Sequence, residues 1–178
     1  MNAVKILPHY TYDDYCLWEG RWELIDGIPF EVRPAPNHQW VVANISSEFL
    51  FEIKRLKLKQ CKVYSFLDTK IKEDILVKPD CSIVCKPIYK KFLDFPPSLV
   101  VEILSEATAL KDRISKFSIY ENFGIKYYMI IDPEKEIIEI YCLENSKYLL
   151  QDFSPENPFT FSLSDDCKID VVLKNIWE

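Results

Sequence analysis

The chain has 178 residues, of which 48% are hydrophobic, 14% aromatic and 28% charged, and its formal net charge is −6. That length and apolar content suit one domain spanning residues 1–178 with a core of its own, and they argue against disorder. The acidic balance counts against general coating of nucleic acid, although an acidic metal site would itself add to the negative count.

Thr11, followed by Asp13 and Asp14, is placed to cap a short helix running to about Glu19. "RWELIDGIPFEV" reads as two strands turned at Asp26-Gly27. After the loop "RPAPNHQ", the apolar positions Trp40, Val41, Ile45, Phe49, Ile53 and Leu56 recur at three and four, which predicts an amphipathic helix of about five turns. Its end carries the basic run Lys54, Arg55, Lys57, Lys59 and Lys62, either a solvated helix terminus or a phosphate-facing patch. "KVYSF" and "DTKIK" predict strands with a break near Leu67-Asp68.

"CSIVC" and "SLVVEIL" are β-branched, apolar runs, as expected of central strands covered on both faces. "TALKDRISKFSIYENFG" predicts a helix capped by Thr108 and ended by Gly124. "KYYMIIDP" and "EIIEIYCL" are two further strands, and from Lys147 onward the pattern is a weaker β-like stretch with the loop "SPENP". The order predicts a mixed α/β domain in which helices flank a central sheet.

The opening "MNAVKILPHYTYDDY" has no charged start followed by an apolar core, and no apolar run approaches the roughly 20 residues that span a bilayer. The expectation is a soluble cytoplasmic protein with no membrane partner. Its 6 cysteines, Cys16, Cys61, Cys81, Cys85, Cys142 and Cys167, are scattered and mostly have apolar neighbours, so they read as free packing thiols. With only His9 and His38 in the chain, Cys81 and Cys85 lack the partners of a zinc site. No Gly-x-Ser-x-Gly elbow, Walker loop or dinucleotide fingerprint is present.

What remains is a set of acids at strand ends. Asp80 opens one central strand, and Glu102 follows three apolar residues in another, where an ionised group is costly unless paired or bound to metal. If these strands are neighbours, the two carboxylates converge and offer hard oxygen ligands to Mg²⁺ or Mn²⁺. A salt bridge to a neighbouring lysine or arginine is the competing reading of Glu102. Lys116 lies in the following helix, with Arg113 and Tyr120 on the same face by helical spacing, and it either reaches back to the carboxylates or is an ordinary exposed lysine. Glu23 is a second acid within an apolar strand, a further ligand or a hairpin-face residue. His38 opens the long helix as a proton-transfer or phosphate-facing group, or as a structural histidine.

Five segments, "WELIDGIPFEV", "APNHQWVVANI", "VKPDCSIV", "PPSLVVEILSEAT" and "DRISKFSIYENFGIKYYMIIDP", together resemble the Uma-type restriction endonuclease family of the PD-(D/E)XK nuclease superfamily. The match runs in order from about Tyr10 to about Leu143. The resemblance implies a restriction-endonuclease-like α/β core and a metal-dependent endonuclease acting on DNA. Asp80 and Glu102 match its metal-binding acids, the backbone carbonyl of Ile103 stands as a further ligand, and Glu23 and His38 match its earlier acid and histidine. Asp68 matches an Asp of an earlier strand that supports the site. The superfamily pattern puts lysine two residues beyond the second acid. Here that position is Leu104, so Lys116 becomes the substitute. A catalytically inactive nuclease fold that binds nucleic acid or a protein is the alternative reading. Cutting both strands of a duplex would favour a homodimer, with the aromatics Tyr10, Trp18 and Trp22 as a candidate interface or as core.

Overall fold

The computed structural model describes residues 8–33, 35–106 and 108–178. A six-stranded sheet forms its centre, in the order β10-β9-β8-β7-β6-β3. Its members are β3 (Lys62–Ser65), β6 (Cys81–Val84), β7 (Leu99–Ile103), β8 (Tyr127–Asp132), β9 (Ile137–Glu144) and β10 (Lys147–Leu150). β7 and β8 are parallel, and the other pairings in this sheet are antiparallel. A parallel pair needs a crossover, which here is the helical segment between the two strands. That single connection carries a helix back over one face of the sheet, beginning where β7 ends.

Alternation along β7 divides the molecule into two layers. Leu99, Val101 and Ile103 face α2 (Pro36–Arg55), whose buried stripe is Val41, Val42, Ile45, Phe49 and Ile53. The hairpin of β11 (Pro158–Ser164) and β12 (Cys167–Val172) closes the same side. On the opposite side Val100 and Leu104 meet Ile25, Val77, Tyr120, Ile125, Tyr128 and Ile130. Glu102 points to this second side, between the sheet and the crossover helix α3 (Phe117–Phe123).

A separate four-stranded sheet, ordered β2-β1-β5-β4, packs over that second side. It consists of β1 (Trp22–Ile25), β2 (Ile28–Glu31), β4 (Thr69–Lys72) and β5 (Ile75–Val77). Sequence reading located the Asp26-Gly27 turn and β4 but missed β5, because "ILV" is too short to show a period. Both turn residues adopt positive φ, 49° at Asp26 and 74° at Gly27, as a tight hairpin requires. The first helix, α1 (Tyr12–Tyr15), is shorter than expected. The Thr11 amide and hydroxyl donate to Asp14 at 2.8 and 2.9 Å, fixing its start.

One expectation needs correction. Cys61 and Cys85 are joined as a disulfide rather than lying as free thiols. They flank the Lys62–Val84 pair of the β3–β6 ladder, so the antiparallel register sets them opposite one another. The aromatics near the start of the chain are largely satisfied internally: Trp18 makes edge contacts with Tyr10 at 5.1 Å and with Trp22 at 5.9 Å, and the Trp22 indole donates to the Glu19 carbonyl at 2.7 Å. No described helix is long and apolar enough to cross a membrane.

Phe49 is fully buried and meets Phe161 edge-on at 5.6 Å, joining α2 to the β11–β12 hairpin. Phe49→Ala is expected to cost about 3–5 kcal/mol in urea unfolding. A cost below about 1 kcal/mol would mean that this layer is not tightly packed.

Candidate active site

β6 starts, and β7 ends, at the same edge of the large sheet, because the two strands are antiparallel neighbours with Cys81 opposite Val101. Asp80 and Glu102 therefore arrive together at one end, as the sequence pattern anticipated. Asp80 is held from two sides by its Oδ2 atom, which accepts from the Ile103 backbone amide at 2.7 Å and lies 3.0 Å from His38 Nε2. His38 sits in the first turn of α2, and its other ring nitrogen, Nδ1, is buried without a hydrogen-bond partner among the described residues.

Glu102 is engaged by two donors on the crossover helix. Lys116 Nζ lies 2.9 Å and the Tyr120 hydroxyl 2.5 Å from Glu102 Oε1. Lys116 also approaches Glu23 Oε1 at 2.7 Å and Asp112 Oδ1 at 3.5 Å, so one ammonium serves three carboxylates. Glu23, on β1, takes in addition the Lys78 backbone amide at 2.9 Å and Lys111 Nζ at 2.5 Å. Glu23, Glu102, Asp112 and Lys116 are each at most 3% exposed. These groups line a narrow cleft, with about 40 Å³ of space inside, bounded also by Arg33, Ser105 and Thr108.

The charges in the cleft do not balance. Arg33 and Lys78 are paired outside the centre, with Glu31 and Asp68. That leaves Lys111 and Lys116 facing Glu23, Glu102 and Asp112, while Asp80 lies against His38. Burial, reinforced by the other acids, holds the Glu102 carboxyl well above the usual range despite Lys116. Burial likewise raises Asp112. Glu23 is lowered, because Lys116 and Lys111 together outweigh the burial that would raise it. Burial alone would lower the Lys116 ammonium, but Glu102, Glu23 and Asp112 overcome it and hold the group charged.

Surplus carboxylate at a strand edge, with a backbone carbonyl nearby, is the donor chemistry of a hard divalent cation, and such an ion would cancel the imbalance. Among the described residues, no three His, Cys, Asp or Glu side chains stand ready-spaced to hold a metal ion. The chemistry of the donor set fits; Glu23, Glu102 and Asp112 are drawn toward Lys116.

Each residue singled out from sequence can now be placed. Asp80, Glu102, Lys116, Glu23 and His38 line one cleft. Both readings of Glu102 stay in play, since its salt bridge is formed by the very lysine proposed as its catalytic companion. Asp68 lies outside the cluster, where its carboxylate takes the Lys78 ammonium and the Tyr15 hydroxyl. Arg113 does not share the face of Lys116. It is exposed and pairs with Glu139 at 2.5 Å, because residues Lys111–Lys116 form a π-helical turn in which α-helical spacing fails. Leu104, at the position of the superfamily lysine, is buried in the apolar layer between sheet and helix. Lys111, five residues before Lys116, was missed for the same reason that Arg113 was misplaced; Asp112, four before it, was open to helical spacing and was overlooked.

Comparison with known proteins gives the family and the fold. The profile of the Uma2 family, described as "Putative restriction endonuclease", matches residues 11–168. The chain belongs to this family. A protein of Synechocystis sp., slr1290, is 28% identical over 145 residues, covering 75% of this chain and 74% of that protein. The crystal structure of an Anabaena variabilis protein, titled a putative nuclease belonging to DUF820, superposes with a TM-score of 0.73 at 16% identity. It covers 94% of this chain and 97% of that one, which establishes the restriction-endonuclease-like fold.

Removing Lys116 would leave three enclosed carboxylates short of their common counter-charge. Lys116→Met is expected to cost about 3–5 kcal/mol in urea unfolding at neutral pH. Glu102 should respond in the opposite sense. A carboxyl whose folded pKa is raised stabilises the fold fully below its unfolded pKa, and loses that contribution as pH rises through the folded value. Glu102→Gln keeps a group for Lys116 and Tyr120 to bond, so in EDTA at pH 8 its melting temperature should exceed wild type by about 3 °C per kcal/mol released. A lower melting temperature would mean that Lys116 compensates Glu102 completely.

Proposed function

We propose that this Uma2-family protein is an endonuclease that hydrolyses DNA phosphodiester bonds with the help of Mg²⁺ or Mn²⁺. The observation that carries the reading is the meeting of Asp80 and Glu102 at one sheet edge, with Lys116 2.9 Å from the second acid. Asp80, Glu102 and the Ile103 carbonyl are the groups that would hold the ion. When bound, a divalent cation polarises the phosphoryl oxygen and lowers the pKa of water, so that hydroxide is available at neutral pH.

The remaining work falls to the side chains. Asp80 is oriented by the Ile103 amide and His38, so its carboxylate needs little reorganisation on binding. Tyr120 fixes Glu102 and leaves Lys116 to orient a water or to balance charge building on the phosphate. Glu23 holds Lys116 from the far side through a 2.7 Å contact, keeping its ammonium near Glu102 when substrate enters. His38 contributes through Asp80, whose Oδ2 it meets at 3.0 Å. A two-fold dimer would present two such centres to the two strands of a duplex.

Two observations favour a second reading, a binding module with the nuclease fold and no activity. Lys116 already neutralises the carboxylates in part, and no three acids are pre-spaced for a cation among the described residues. Such a module would bind DNA with strong salt dependence and cut nothing.

The test is a supercoiled-plasmid assay in Mg²⁺ and in Mn²⁺. Wild type should nick or linearise the plasmid, and Asp80→Asn and Glu102→Gln should each lower the rate by at least about a hundredfold, the scale of a lost transition-state contact. Equal cutting by either variant would sink the site assignment. Salt-dependent DNA binding without cutting in either metal would establish the binding module instead.

A further inference from the structure

Lys111 is the cation of the cleft that the proposed reaction does not yet use. It lies five residues before Lys116, a spacing that in an α-helix would separate the two side chains by about 140° around the axis. The turn from Lys111 to Lys116 is instead π-helical, with hydrogen bonds reaching five residues rather than four. The wider turn sets the two lysines over one another, and both ammonium groups reach the same carboxylate: Lys111 meets Glu23 Oε2 at 2.5 Å and Lys116 meets Glu23 Oε1 at 2.7 Å.

The two lysines are not equivalent. The Lys116 side chain is 4% exposed and encircled by Glu23, Glu102 and Asp112. The Lys111 side chain is 13% exposed and lies at the mouth, its ammonium 5.3 Å from the centre of the Phe30 ring. Glu23 is its one salt-bridge partner among the described residues, and Glu23 does not depend on it. If Lys111 swings away, Glu23 Oε1 still has Lys116 and the Lys78 backbone amide. A flexible lysine at the rim of an acidic cleft, held by a carboxylate that keeps other partners, is free to exchange that carboxylate for an incoming anion.

We propose that Lys111 is the substrate-binding lysine of the cleft, which the π-helical turn sets beside Lys116, and that it leaves Glu23 to take a phosphate oxygen of the bound DNA strand. The proposal rests on the nuclease reading above and deepens it. Lys116 stays inside as the fixed cation, and Lys111 is the movable one.

The test measures binding rather than turnover. A fluorescently labelled DNA duplex is titrated with full-length protein in EDTA and in Ca²⁺, across a series of salt concentrations, while cleavage in Mg²⁺ is followed separately. Lys111→Met should weaken binding about tenfold or more, as for a lost hydrogen bond to a charged group, and should make the salt slope shallower by about one. Lys111→Arg should restore most of the affinity. If Lys111 served only to neutralise Glu23, the double variant Lys111→Met/Glu23→Gln, which removes both charges, would bind like wild type. The proposal expects the double variant to stay weak. Glu23→Gln alone, measured beside it, separates the loss of the Glu23–Lys116 contact from the loss of Lys111.

Wild-type affinity and slope in Lys111→Met, or recovery in the double variant, would overturn the role of Lys111 and leave the nuclease reading standing if wild type still cuts. A wild type that neither binds DNA in a salt-dependent way nor cuts it would overturn both.

Discussion

Three carboxylates on three separate elements share one buried ammonium. Glu23 comes from the small sheet, Glu102 from the central strand β7, and Asp112 from the crossover segment that also supplies Lys116. Each of these groups would be prohibitively costly to enclose alone, so the small sheet, the large sheet and the crossover must close together or not at all. The contact with Lys116 thus does structural work in sewing the second layer of the molecule onto the sheet. It also brings to one edge the residues on which hydrolysis would depend.

That economy has a cost in stability. Acids outnumber cations in the cleft, and the excess falls on Glu102 and Asp112, whose carboxyls are raised by burial. A core built for stability alone would use an apolar residue where β7 has Glu102, as it does at Leu99, Val101 and Ile103 on the opposite face. Strain of this kind is common where a site must bind cations or stabilise a charged transition state. In this member of the Uma2 family the lysines compensate the acids, and the proposed function would have a divalent ion take over part of that role.

Much of this was legible in the sequence, and the reasons for the gaps are physical. "CSIVC" and "SLVVEIL" announce central strands because both faces are buried, and an acid just before the first and another inside the second are conspicuous against that background. The long helix is legible from its period, and Gly124, with φ of 86°, ends α3 where a left-handed residue was expected. The small sheet was half hidden because β5 has only three residues. The reach of Lys116 to Glu102 could be guessed but its surroundings could not. A π-helical turn has no compositional signature, and the 3.6-residue period that serves elsewhere put Arg113 on the face of Lys116 and left out Lys111. The Cys61–Cys85 pair was equally invisible, since it follows from strand register rather than from cysteine spacing.

The central claim is that this acidic edge takes a divalent cation in exchange for part of its lysine pairing. Mn²⁺ binding to the metal-free protein, followed by electron paramagnetic resonance, addresses it without any assumption about substrate. The account predicts saturable uptake of Mn²⁺ by wild type, competed by Mg²⁺, and loss of that uptake in both Asp80→Asn and Glu102→Gln. Wild type that leaves Mn²⁺ entirely free, or variants that bind it as wild type does, would contradict it.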